Sequence, residues 1–162
     1  MESDKEENKL VEVTENFEVI NFDIGKFLDY SSREKDGRQE GYFMHTAEYL
    51  AKKKQGFVSE FIHLIEKRMD ELKEERLRCQ TLLVDLNYTK GFSELESTFV
   101  EKVKLRLNLC EEYILNLETE KNLSKNFEGL VTKVIIPYEV GYDLGMNDYL
   151  NDNAFLNPIK RL

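Results

Sequence analysis

The sequence predicts a mainly α fold: an antiparallel helical hairpin or small bundle, with a minor β or extended element formed by the chain ends. Three observations carry this expectation. Apolar residues recur at positions 58, 62, 65, 69, 72, 79, 83 and 86, and again at 100, 103, 107, 110, 114 and 117. Steps of four and three alternate in both runs, broken only at Arg76, and this keeps one stripe of each helix turned toward a partner. A short polar turn, Asn87-Tyr-Thr-Lys-Gly91, separates the runs, as an antiparallel helix pair requires. The chain of 162 residues holds only two prolines and eight glycines, so long stretches are free of helix breakers.

Taken in chain order, residues 1–9 are acidic and read as a disordered N-terminus. Val11 and Val13 alternate with Glu12, which suggests a strand over 10–13. Ile24, Phe27 and Leu28 suggest a helix over about 22–30. Ser31 to Glu40 is polar, contains Gly37, and reads as a loop. Thr46 is placed as an N-cap, and Lys52, Lys53, Lys54 and Gly56 resemble a helix end. A break or kink near Gly56 is therefore favoured over one helix spanning about 42–87. The hairpin helices are expected at 59–87 and 93–121. The second opens on a capping box of Ser93 and Glu96, with Phe92 as a hydrophobic staple. A second apolar line, Leu95, Phe99, Leu105, Leu109 and Tyr113, widens its stripe beyond what one neighbour covers. Residues 10–136 are taken as a single helical domain. Leu130–Ile136 is β-branched and bounded by Gly129 and Pro137, so it reads as a strand. Residues 137–162 read as an aromatic extended tail.

Few residues suggest chemistry. Glu60-x-x-His63 and the reversed His45-x-x-Glu48 have the i,i+3 spacing of carboxylate-bridged di-metal bundles. Such a site needs paired motifs, and the chain has two histidines in all, so both read as ordinary boundary residues. The shortage of histidine also argues against triad chemistry. Asp143 to Asn153 is rich in oxygen ligands but lacks the alternation of a calcium loop. Cys79 and Cys110 fall on the inner stripes, offset along the hairpin, and are expected to be free core residues in a reducing compartment. No catalytic, cofactor-binding or metal site is assigned.

The net charge is −9, and residues 1–40 supply −6 of it with 12 acidic and 6 basic groups. That balance disfavours direct binding to nucleic acid or to an anionic membrane surface. The expected function is a non-enzymatic protein-interaction or assembly subunit in the cytoplasm, contacting a protein partner or further copies of itself. The interaction candidates are Arg76, Tyr138, Tyr142, Tyr149 and Phe155. A lone polar residue on a packing stripe, such as Arg76, can set register or partner choice. If instead the stripe drifts, Leu77 takes the inner position. Aromatic side chains on an irregular tail are common interface anchors. Two other classes stand beside this one: an acidic inhibitor that mimics nucleic acid in a partner's basic groove, and a small bundle enzyme with a metal site.

Overall fold

The computed structural model describes residues 21–88 and 94–156, and among these the chain is mainly α. Among the described residues five α-helices follow one another: α1 (Phe22–Leu28), α2 (Arg33–Phe43), α3 (Ala47–Tyr88), α4 (Glu94–Ser124) and α5 (Thr132–Leu156). A single 3-10 turn, Gly129–Val131, leads into α5. Residues 1–20, 89–93 and 157–162 lie outside the described residues. The expected strand at 10–13, the acidic N-terminus and the Phe92–Ser93 part of the capping signal therefore lie outside them too. The described chain divides into two compact units. One is built on Ile65–Thr119, and the other on Phe22–Leu64 with the chain from Glu120 onward.

The first unit is the hairpin. Its interior is made by Ile65, Met69, Leu72 and Cys79 of α3 and by Val103, Cys110 and Leu117 of α4, all buried. Those are the heptad positions read from the sequence. Arg76 fills the gap in the stripe as a half-buried side chain, whereas Leu77 is 62 % exposed. The stripe does not drift onto Leu77, because the buried side chains on either side of the gap, Leu72 and Cys79, stay in phase with position 76. On one flank the Arg106 guanidinium pairs with the Glu75 carboxylate, tying α4 to α3. Both cysteines are free and buried, and burial pushes both thiols above their ordinary value.

In the second unit the structure corrects four sequence expectations. Residues 33–43 form α2 instead of a loop. Helix α3 runs unbroken through Gly56. The glycine costs about 1 kcal/mol relative to alanine. Phe57, Val58 and Phe61 beside it are all buried, and burying such a side chain stabilises by about 1.5–3 kcal/mol, so packing outweighs propensity. The three lysines consequently sit inside a helix, each with its own carboxylate. Lys52 pairs with Glu48 at 2.9 Å, Lys53 with Glu40 at 3.1 Å and Lys54 with Glu139 at 2.8 Å. Thr46 does act as the N-cap, its Oγ1 accepting the Tyr49 N–H at 3.2 Å.

The third and fourth corrections concern the C-terminal part. Residues 130–136 are not a strand, and residues up to 156 are not extended; together they make the 3-10 turn and α5. Val131, Val134, Ile135, Tyr138 and Tyr142 are all buried, and their spacing of three and four is helical. Seen alone, 130–136 shows only its β-branched composition. Pro137 lies within α5, where it removes one i→i−4 hydrogen bond near the helix start. The tight turn before α5 is closed by Glu120, whose Oε2 accepts the Leu130 N–H at 2.8 Å. Phe127 and Gly129 adopt φ of 61° and 75° there, and glycine is suited to the second of these.

This packing makes opposite predictions for neighbouring residues. Leu72→Ala, at a fully buried position, should cost about 2–5 kcal/mol. Leu77→Ala should stay within about 0.5 kcal/mol, and Gly56→Ala, where a new Cβ meets nothing within 4 Å, should stabilise by up to about 1 kcal/mol. Denaturant unfolding midpoints of the three variants check this. Equal losses for Leu72 and Leu77 would be incompatible with the hairpin core described.

Candidate interaction surface

The second unit is organised by a contact between α2 and α5 that side chains do not make. Gly37 and Gly41 of α2 and Gly141 and Gly145 of α5 are all buried. A methyl group added at Gly37 or Gly41 would collide with the carbonyl oxygen of Tyr138 or Tyr142, and one at Gly141 or Gly145 with that of Glu34 or Arg38. At Gly41 the added carbon would also lie 2.9 Å from the Tyr142 Cα, and at Gly145 it would lie 2.8 Å from the Tyr42 backbone nitrogen. The two backbones therefore touch. Position numbers rise together on both helices, so α2 and α5 run parallel. Each carries the spacing Gly-x-x-x-Gly, which brings helix backbones together where small residues share one face. That contact is best known between membrane helices, yet among the described residues no helix is long and apolar enough to cross a membrane.

Beside the glycines the contact is polar. Arg38 Nε donates to Asp148 at 2.7 Å, and the Tyr42 hydroxyl donates to Asp152 at 2.8 Å. Glu40, projecting from α2, collects three donors. The Tyr138 hydroxyl donates to it, the Tyr49 hydroxyl donates at 3.0 Å, and Lys53 Nζ donates at 3.1 Å. Burial is the largest single influence on Glu40 and alone would raise its pKa. The hydrogen bonds from Tyr138, Lys53 and Tyr49, with the Lys53 charge, outweigh it and hold the carboxyl below its ordinary range. Burial, then the bond to Glu40, push Tyr138 far above the usual phenol range, so its hydroxyl keeps its proton. Tyr142 serves the turn between α2 and α3. Its hydroxyl accepts the Thr46 N–H at 3.0 Å and faces the carbonyls of Met44 and Thr46 at 2.6 and 2.9 Å.

Tyr138 and Tyr142 were candidate interface anchors, but they are 1 % and 0 % exposed. They pack inside this unit, Tyr142 stacked on Tyr49, Tyr138 edge-on to Phe57, and the two tilted against each other. Tyr149 is half-buried, with its ring stacked on His45 at 3.7 Å. Phe155 lies in the last turn of α5, its side chain outside the described residues, and Arg76 belongs to the other unit. What α5 turns outward is a different set: Ile136 (56 % exposed), Val140 (48 %), Leu144 (40 %) and Leu150 (57 %). At 100° per residue these four fall within an arc of about 120°, on the side of the helix away from the glycines. The regular spacing of 136, 140 and 144 was visible in the sequence but carries no meaning in a segment read as extended.

A second surface feature lies at α1. The Arg33 guanidinium is held by the rings of Phe27, Tyr30 and Phe57 at 5.0, 4.9 and 4.9 Å. Its Nη2 donates to the Phe27 carbonyl at 3.3 Å, and burial lowers its pKa. It walls an open groove of about 340 Å³ with Asp23, Lys26 and Glu60. The groove carries both charges and its central cation already has aromatic partners, so it reads as the latch of α1 onto α3. Among the described residues no three His, Cys, Asp or Glu side chains converge as a metal would require. Neither a family model, nor a curated protein, nor a solved structure matches the chain.

Alanine favours helix over glycine by about 1 kcal/mol, yet Gly41→Ala and Gly141→Ala should destabilise, by about 3 kcal/mol or more, because backbone atoms cannot yield. Thermal unfolding of each variant beside Gly56→Ala tests the reversal of sign. The folded pKa of Glu40 lies below its unfolded value of 4.5, so its stabilisation is complete above that pH and is lost as pH falls through the folded pKa. Glu40→Gln should therefore flatten the acid limb of stability below about pH 4.5. Parallel limbs for the two proteins in urea titrations would show that Glu40 is not linked to folding.

Proposed function

We propose that the chain is a non-enzymatic interaction or assembly subunit that meets a protein partner through the outward face of α5. One observation carries the reading. A helix locked on one side by backbone contact presents four large apolar side chains on the other, each at least 40 % exposed. Contiguous exposed apolar surface on a folded domain usually meets another surface. The anchors in this reading are Ile136, Val140, Leu144 and Leu150, and the buried tyrosines hold the helix that displays them. Two buried cysteines free of any bridge support a reducing, cytoplasmic setting.

Truncation at Ile136 would be a poor test, because it removes Gly141 and Gly145 and with them the packing of the unit. The informative variant is Ile136→Ser with Val140→Ser and Leu144→Ser. These exposed positions should change the unfolding free energy by no more than about 1.5 kcal/mol in sum. Partner capture, or sedimentation where the partner is a further copy, should change relative to the parent chain. A variant that keeps every partner and the same oligomeric state would end this reading.

A further inference from the structure

We propose that the outward face of α5 receives an amphipathic segment whose apolar anchors are flanked by lysine or arginine. This rests on the reading of that face as a protein contact surface and adds the polarity of what it accepts. Helix α5 carries four acids, Glu139, Asp143, Asp148 and Asp152, against one base, Lys133. Their placement around the helix matters more than their number. Asp143 is exposed and falls inside the arc of Ile136, Val140, Leu144 and Leu150. Lys133, also exposed, falls inside the same arc but one turn before Ile136, so over residues 136–150 the arc carries acid alone. Glu139 borders one edge of the arc and Asp148 the other. Glu139 and Asp148 are already paired to Lys54 and Arg38, but their side chains remain 37 % and 40 % exposed. Each carboxylate can accept further donors on its open side.

Charge separates the three occupants such a face could have. A second copy would bring the same acids against themselves. In an antiparallel pairing about the middle of the stripe the two Asp143 side chains approach each other. In a parallel pairing every acid lies beside its own kind. Like charges brought into contact repel even at the dielectric of water. The chain's own residues 1–20 carry seven acids and two bases and are repelled in the same sense. A basic amphipathic segment is attracted instead, first at long range by the chain's net charge of −9 and then by the acids bordering the stripe. Such a segment lays its i, i+3, i+4 and i+7 anchors along an apolar stripe.

The test uses two synthetic helical peptides with one leucine face, one flanked by lysine and the other by glutamate. Fluorescence anisotropy measures each against the full chain at about 0.15 M salt. The lysine peptide should bind at least about tenfold tighter, and Asp143→Lys should cut that preference severalfold. The variant with Ile136, Val140 and Leu144 changed to serine should lose the lysine peptide while keeping its unfolding midpoint. Equal or tighter binding of the glutamate peptide would overturn the polarity and leave the contact surface standing. Lysine-peptide binding that survives the serine variant would be charge attraction elsewhere, and would overturn the site. If neither peptide binds and the serine variant abolishes self-association seen by sedimentation, the occupant is a second copy. If the lysine peptide binds only after residues 1–20 are removed, the occupant is the chain's own segment. Either outcome overturns the inference. If neither peptide binds and the serine variant changes nothing, the contact-surface reading falls with it.

Discussion

The backbone contact between α2 and α5 is the constraint from which the rest of the second unit follows. Two helices that touch through four glycines have no freedom in register, because a shift of one residue drives a Cβ into a carbonyl oxygen. That register sends Tyr138 toward Glu40 and Tyr142 toward the Met44–Thr46 turn. It aligns Arg38 with Asp148 and Tyr42 with Asp152. It also decides which face of α5 remains outside. Helix α2 is an unusual participant, since REKDGRQEGYF is largely polar and has no apolar stripe to bury. It is held by shape at its glycines and by its charged flanks, not by a hydrophobic seam.

The magnitudes show why such a helix persists. Four helical glycines forfeit about 1 kcal/mol each relative to alanine. Against this, the close approach allows Tyr138 and Tyr142 to be fully buried, and an aromatic side chain that buries about 150–250 Å² contributes about 4–6 kcal/mol as an upper estimate. The polar atoms carried inward must then be satisfied, because a buried hydroxyl without a partner costs about 1–3 kcal/mol. Both hydroxyls are satisfied by α2 or by the turn that follows it. The Glu40 carboxylate would be costly alone at that depth, but it has a cation and two phenols as donors. The burial of the aromatic rings and the polar cluster around them depend on the same four glycines.

The hairpin was legible because its signal is local and periodic. Leu72, Cys79, Val103, Cys110 and Leu117 are buried where the alternation of threes and fours places them. Helices α2 and α5 were harder to read for a physical reason. Propensity counts Gly37, Gly41, Gly141 and Gly145 as breakers, whereas here each makes a contact that only glycine allows. The signal that could have found them is non-local: the same Gly-x-x-x-Gly spacing occurs twice, at 37–41 and 141–145, and neither copy means much without the other. The β-branched run at 131–136 misled in a similar way. Its helical phase shows only when it is read on through Tyr138 and Tyr142. Arg76 kept the inner position that the heptad assigned it, and Leu77 did not replace it.

An apolar stripe on the outside of α5 is easier to understand once the inside is seen to be closed. An amphipathic helix ordinarily packs its apolar face and solvates the polar one. In α5 the packed face is made of glycines, two tyrosines and β-branched residues, and their requirements are met wholly within the unit. Ile136, Val140, Leu144 and Leu150 add little to that packing, since exposed side chains contribute little to folding. An isolated surface leucine needs no account, but four large aliphatic side chains in helical phase, with Asp143 and Asn147 exposed among them, are the face on which the proposed contact rests. Because the glycine contact holds α5 in place, the proposed contact would meet a surface already arranged, and the entropy lost on such binding would fall mainly on the partner.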